Sequence, residues 1–290
     1  MKLTLSDRLF SVFVHLFVSI FALFCLLPFM LMISGSITEE NDLIANGYTL
    51  IPKHISWEAY QVTFQSNKLL HSYSLSIFIT VVGTAAGLTI SAMLANSIAN
   101  KRNVLRHPMA FFVSFLMLFN GGLIPFYLLV SKWLNLYDTV WALIVPYLVQ
   151  PFLVFLMISF FRNLPDELEE AALVDGAGEF RIFFQIVLPV AKPILATVAL
   201  FLALSYWNDW LLGLLFAGDE RLYPLQLILR RMISNLTAAS DLVPSGISIQ
   251  PPSMGIRMAT TVVTIGPIIF LYPLLQRYFV KGITVGAIKG

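Results

Sequence analysis

Apolar residues are gathered into six runs, at about 9–33, 74–96, 109–130, 139–161, 190–215 and 259–280, with polar connections between them. A helix crosses a hydrocarbon core about 30 Å thick with roughly 20 residues, so each run predicts one transmembrane helix. The first four contain no Asp, Glu, Lys or Arg, and His15 is their one residue of basic type. None of the runs alternates with period two, as the strands of a membrane barrel would. The expected fold class is therefore an all-α membrane protein with six transmembrane helices, residues 1–290 forming a single transmembrane domain.

Within the runs, Gly121-Gly122, Pro125, Pro146 and Pro151 remove backbone hydrogen bonds or side-chain support. They mark expected kinks or breaks. The first run follows Lys2 and Arg8, as a signal peptide would, but about 25 apolar residues exceed a signal core of roughly 7 to 15, so it reads as a retained span.

Lys and Arg set the orientation. The short connection ANKRNVLRHP carries Lys101, Arg102 and Arg106, whereas SKWLNLYD carries only Lys132. Counting also Lys2, Arg8, Arg277, Lys281 and Lys289, both termini are expected in the cytoplasm. The two long connections, about 34–73 and 216–258, then lie outside, as ordered caps, partner-docking loops or solvated linkers.

Composition sharpens this picture. Hydrophobic residues make up 58% of the chain, charged residues 12%, and mean hydropathy is +0.82. A net charge of +2 gives no argument for nucleic acid as a partner. The single cysteine, Cys25, lies in the first span and has no internal disulfide partner. There is no GxxxxGK[ST], HExxH, GxSxG or CxxC pattern, so no recognisable device binds ATP, holds a metal or cuts a bond.

Against this background the segment PDELEEAALVDGAG, Pro165 to Gly178, is unusual. Pro165 suits the start of a helix, and Asp166, Glu167, Glu169 and Glu170 complement its positive end. Asp175-Gly176 is expected to stop that helix. From Glu179 to Ile186, apolar Phe180, Ile182, Phe183, Phe184 and Ile186 interleave with Glu179, Arg181 and Gln185, which suits a helix lying against the cytoplasmic ends of the spans. An interfacial anchor is the competing reading, but such helices favour Lys and Arg on the polar face.

The spacing Glu170-Ala171-Ala172, three residues, Gly176, nine residues, Ile186-Val187-Leu188-Pro189 resembles the EAA loop of binding-protein-dependent ABC importer permeases. FNGGLIPFYLLV, SYWNDW, YPLQLILR and the tail QRYFVKGITVGAIKG narrow the resemblance to the carbohydrate-type, MalG-like permeases of the LplC and YtcP group. That resemblance implies the type I importer fold with a cytoplasmic coupling loop at 162–189. It also implies that Glu170, Ala171, Ala172, Asp175 and Gly176 contact a cytoplasmic ATPase dimer. Ile283, Val285 and Lys289 of the tail are a second contact with the ATPase, or else belong to a frayed basic end at the inner leaflet. ATP and Mg are implied to bind the partner ATPase, with no cofactor in this chain. A second permease subunit, an extracytoplasmic solute-binding protein and an oligosaccharide substrate complete the implied importer, set in the lipid of a bacterial cytoplasmic (inner) membrane.

A translocation path needs polar or aromatic groups inside the bundle. Asn120, Tyr147, Gln150, Trp207, Asn208, Asp209 and Trp210 are the candidates, each with a competing role in helix packing or, for the tryptophans, in an aromatic belt. Starting from Val190, Asn208 and Asp209 lie about 27 Å along the fifth span, near its outer end. A permease for peptides or amino acids shares the EAA signature but not the other runs. A secondary transporter would need midplane carboxylates and an internal repeat, and neither is evident.

Overall fold

A computed structural model describes residues 5–65, 67–242, 254–267 and 269. Helices α1 (Leu5–Ser36), α2 (Glu40–Asn46), α3 (Glu58–Gln65), α4 (Asn67–Ala99) and α5 (Arg106–Leu118) come first. They are followed by α6 (Leu123–Leu128), α7 (Trp141–Ile144), α8 (Pro151–Phe161), α9 (Asp166–Val174), α10 (Glu179–Ile182) and α11 (Leu188–Val190). Helices α12 (Lys192–Trp207), α13 (Leu211–Phe216) and α14 (Leu225–Leu242) follow, and α15 covers 254–267. No strand occurs among the described residues; Thr38 and Ile55 form one isolated bridge. Two compact units divide the chain, Met1–Asn67 with Arg231–Gly266, and Lys68–Arg230 with Pro267–Gly290.

In the first unit, α1 carries an apolar stretch, Leu9–Ser36, that is exposed on this chain through Met30 and becomes buried only at Ser34–Ser36. The segment after it is ordered by hydrogen bonds. Ser34 Oγ donates to the Thr49 carbonyl (2.7 Å), Tyr60 and Ser36 join their hydroxyls (2.9 Å), and Asp42 meets His54 (2.7 Å). Glu40 accepts the backbone N–H groups of Met254 (2.8 Å) and Gly255 (3.1 Å), placing a carboxylate on the free N–H groups that begin α15. This connection is thus an ordered cap rather than a solvated linker.

The second unit is organised around α4, whose 33 residues rise about 50 Å. Gly83, Gly87, Ser91 and Ala95 repeat every fourth residue and are buried, so neighbouring backbone and rings come close, as small residues allow between membrane helices. A Cβ at Gly83 would lie 2.5 Å from Cζ of Tyr206, and one at Gly87 would lie 2.9 Å from the Leu148 carbonyl oxygen. One apolar cluster gathers Ala95, Ile98, Met157, Phe161, Phe183, Val187 and Val198; a second gathers Ile79, Val130, Ile144, Tyr206, Leu212 and Phe216.

Three of the expected spans are not straight helices. The run 109–130 is broken between α5 and α6 with a bend of 119°. Asn120 Oδ1 accepts the Gly122 N–H (2.8 Å), and Gly122 sits at φ 87, where a side chain is strained. The run 139–161 bends by 46° between Tyr147 and Pro151, where the Leu148 N–H reaches Val145 in a tightened turn. The Ile144 carbonyl at this bend is bonded by the Tyr206 hydroxyl (2.9 Å). The run 190–215 starts its helix, α12, at Lys192. Residues Glu179–Val190 turn 85° from α12 at Ala191, flanked by Pro189 and Pro193, which lack N–H groups. Apart from Val190 they lie in the connection 162–189 expected from the sequence, and α12 itself ends at Trp207. Of the run 259–280, residues 259–267 are helical and most of the remainder lies outside the described residues.

Two connections and the start of α4 converge at one end of this unit. Asp138 accepts the N–H groups of Gly218 (2.9 Å) and Asp219 (2.8 Å), and Lys68 pairs with Glu220. Two hydrogen bonds from the Arg221 guanidinium to Asp219 hold that carboxyl below its ordinary value.

Candidate coupling loop and translocation residues

The acidic segment folds as the helix α9, with Pro165 at its N-cap and Asp166, Glu167 and Glu169 in its first turn. Its end is a Schellman motif: the Ala177 N–H donates to Ala172 (2.9 Å) and the Gly176 N–H to Leu173 (3.0 Å). Gly176 takes φ 73, which a residue with a Cβ adopts at a cost of about 1–2 kcal/mol. The Asp175-Gly176 stop is thus a backbone requirement.

Two contacts with the end of α4 fix α9 in place. Lys101 pairs with Asp166, and Arg102 Nη2 donates to Glu169 (3.3 Å). These pairs are largely solvated, so each contributes at most about 1 kcal/mol. The larger anchor is Ala172, only 8% exposed and part of the same apolar cluster as Phe161, Ile182 and Phe183. Clefts of about 220 Å³ and about 490 Å³ lie beside α9, sharing Asn96, Asn100, Arg102 and Glu169 in their walls.

The structure therefore separates the two alanines. Ala172 faces this chain's own core, so its small size serves an internal contact. Ala171 lies on the opposite face with Glu167, Glu170 and Val174, all exposed, Val174 at 89%. Phe180 follows at 71% exposure, while Ile182, Phe183 and Val187 are buried. An exposed strip of two acids, two small apolar side chains and one aromatic ring thus stands on a base pinned from behind. Lys101 and Arg102, used above only to orient the chain, turn out to be the basic partners of this helix. Their signal was the match between a basic and an acidic connection expected on the same side.

The candidate path residues occupy the helix breaks. Asn120 stabilises the α5–α6 bend through Gly122 and is itself exposed. Gln150 precedes α8, and its carbonyl accepts the Leu153 N–H (3.0 Å). Tyr147 donates its hydroxyl to Asp209 Oδ1 (2.9 Å), and Asp209 Oδ2 accepts the Leu212 N–H (3.0 Å) at the start of α13. Asp209 thus caps one half-helix and ties it to the bend of another. Trp207 is buried edge-on against Tyr73, ring centroids 5.8 Å apart. Asn208 is exposed and donates to the Leu204 carbonyl (3.0 Å). Trp210 is half-buried, with the Arg230 guanidinium 3.5 Å from its ring centroid. Ile283, Val285 and Lys289 lie outside the described residues.

A family model of the binding-protein-dependent transport system inner membrane component matches residues 87–285. The chain belongs to that family. Among its relatives, the polygalacturonan/rhamnogalacturonan transport system permease protein YtcP of Bacillus subtilis (strain 168) is 37% identical over 287 residues, spanning 99% of this chain and 100% of its own. Protein LplC of the same organism is 40% identical over 290 residues, 99% of this chain and 97% of its own. The crystal structure of a bacterial ABC transporter involved in the import of the acidic polysaccharide alginate contains a chain that superposes with a TM-score of 0.83 at 30% identity, covering 95% of this chain and 98% of that one. The all-α fold is accordingly that of an ABC type I permease. This permease is a membrane transport subunit without its own ATPase site, and the family description makes it one component of a binding-protein-dependent system.

Proposed function

We propose that this permease, acting as one domain over residues 1–290, is half of the membrane path of an ATP-driven oligosaccharide importer. A second permease subunit supplies the other half, an extracytoplasmic solute-binding protein delivers the sugar, and a cytoplasmic ATPase dimer holds the ATP and Mg. The peptide alternative has no support, since YtcP and the alginate importer are both concerned with carbohydrate polymers. Both termini and α9 face the cytoplasm in this reading.

The observation that carries it is the two-faced α9. Its inner face is held by Ala172 and two ion pairs, and its outer face offers Glu167, Glu170, Ala171, Val174 and, beyond the turn, Phe180. A helix anchored in this way transmits force: when the ATPase halves close on the outer strip, α9 carries the push into α4 through Lys101 and Arg102, and into Phe161 and Phe183 through the shared core. The bends at Gly122, Pro151 and Ala191 are the places where such a push changes the angle between half-helices.

Cysteine introduced at Val174 in the assembled importer should crosslink to the ATPase and change its crosslinking yield between nucleotide-free and ATP-bound states. Labelling of that cysteine from the outer side only, or crosslinks that never reach the ATPase, would overturn the proposal.

A further inference from the structure

We propose that the unwound residues 119–122, between α5 and α6, form a bare-backbone wall of the translocation path that hydrogen-bonds the hydroxyls of a passing sugar. The inference rests on the sugar-import reading above and deepens it. Asn120 Oδ1 accepts the Gly122 N–H (2.8 Å). Among the described residues, however, the N–H groups of Asn120 and Gly121 donate to nothing, and the carbonyls of Phe119, Asn120 and Gly121 accept nothing. The amide nitrogen of Asn120 is likewise without an acceptor. All four residues are exposed, and an open cleft of about 880 Å³ lies against them.

These groups stand at membrane depth. No Asp, Glu, Lys or Arg occurs from Pro108 to Ser131, and the 13 residues of α5 rise at most about 20 Å from Arg106, so a hydrocarbon core about 30 Å thick still surrounds the break. Lipid chains offer no hydrogen bond, and non-helical backbone persists at that depth only where protein covers it or water reaches it. The chain itself leaves it uncovered. What the break offers is uncharged and of both kinds, N–H donors beside carbonyl acceptors. A sugar hydroxyl is at once donor and acceptor, so the set suits it, as it suits water between turnovers. Phe119, stacked on Phe115 with ring centroids 5.1 Å apart, adds an exposed aromatic face for the C–H side of a sugar ring.

Gly121 carries the inference further. Gly122 needs to be glycine for its φ of 87, but Gly121 has no left-handed φ, and a Cβ there would meet only Cε1 of Phe119, at 4.0 Å. Neither the backbone nor packing within the chain demands glycine at 121. A methyl group there would shield the unpaired N–H and carbonyl beside it, so its absence keeps the backbone open to close approach by a solute.

The test uses the complete importer in vesicles, with its binding protein and ATP. Gly121→Cys in a Cys25→Ser background should be labelled by a charged, membrane-impermeant thiol reagent, whereas Phe112→Cys, on the exposed apolar surface of α5, should not. Uptake is read with trigalacturonate and, as a neutral probe, maltotriose. Gly121→Ala should keep the native melting temperature and assembly and lower uptake roughly 2- to 10-fold, the scale of one lost neutral hydrogen bond, and Gly121→Leu should lower it further. Failure of Gly121→Cys to label, labelling of Phe112→Cys at the same rate, or loss of the second permease subunit from Gly121→Ala preparations would make the break a lipid or subunit contact and overturn the proposal. Native uptake by both the alanine and the leucine variants would overturn it too. A native importer that carries neither sugar, with Gly121→Cys still labelled, would refute the sugar-import reading and leave the aqueous wall standing.

Discussion

Ala171 and Ala172 are neighbours in sequence, but on α9 one is exposed and the other buried, and that difference predicts opposite consequences for the same substitution. Ala172→Leu forces three further carbon atoms into a cluster that already holds Phe161, Ile182 and Phe183, with the alanine 8% exposed. Overpacking of this kind costs about 1–3 kcal/mol, a factor of roughly 5 to 150 in an equilibrium constant. The Schellman turn raises the stake, because Ala172 also supplies the carbonyl that receives the Ala177 N–H. Ala171→Leu places the same atoms in solvent, where surface changes stay within about 0.5 kcal/mol. In detergent, Ala172→Leu should lower the apparent melting temperature and the yield of assembled importer, whereas Ala171→Leu should leave both unchanged. In the assembled complex, Ala171→Leu should instead weaken sugar-stimulated ATP hydrolysis, since the added bulk stands where the ATPase seats. Equal stability losses for the two variants, or native hydrolysis in Ala171→Leu, would refute the two-faced arrangement of α9.

Gly83→Ala should be among the most damaging single methyl additions in the chain: its Cβ would lie 2.5–2.7 Å from Tyr206 ring atoms, so the ring must move and release the Ile144 carbonyl. Overpacking plus a buried acceptor without its partner gives about 2–5 kcal/mol, read as lost thermal stability; Tyr206→Phe, which forfeits only the hydrogen bond, should cost less. Asp209→Ala should remove both the α13 cap and the partner of Tyr147, costing about 1–3 kcal/mol, while Asp209→Asn keeps one acceptor oxygen for the Leu212 N–H and can donate its amide N–H to the Tyr147 hydroxyl, so it should lose less. Equal losses in the two Asp209 variants would show that the charge, not the cap, is what the fold uses; lost uptake in a stable Asp209→Asn importer would place the charge in the path.

Hydropathy determined much of this protein without any coordinates. Water and hydrocarbon sort residues one at a time, so runs of apolar side chains declare themselves, and so do Gly121-Gly122, Pro146 and Pro151, whose backbone limits hold in any surroundings. The end of α9 at Asp175-Gly176 was legible for the same reason, since a left-handed residue is a local demand. Pairing across the fold was not. Lys101 and Asp166 are separated by 65 positions, Tyr147 and Asp209 by 62, and nothing in either neighbourhood names the other. Only the tertiary structure turned Ala172 inward, set Glu179–Val190 at 85° to α12, and laid Arg230 on Trp210, because each depends on how helices cross, and crossing is decided by the fit of distant surfaces rather than by the sequence along either one.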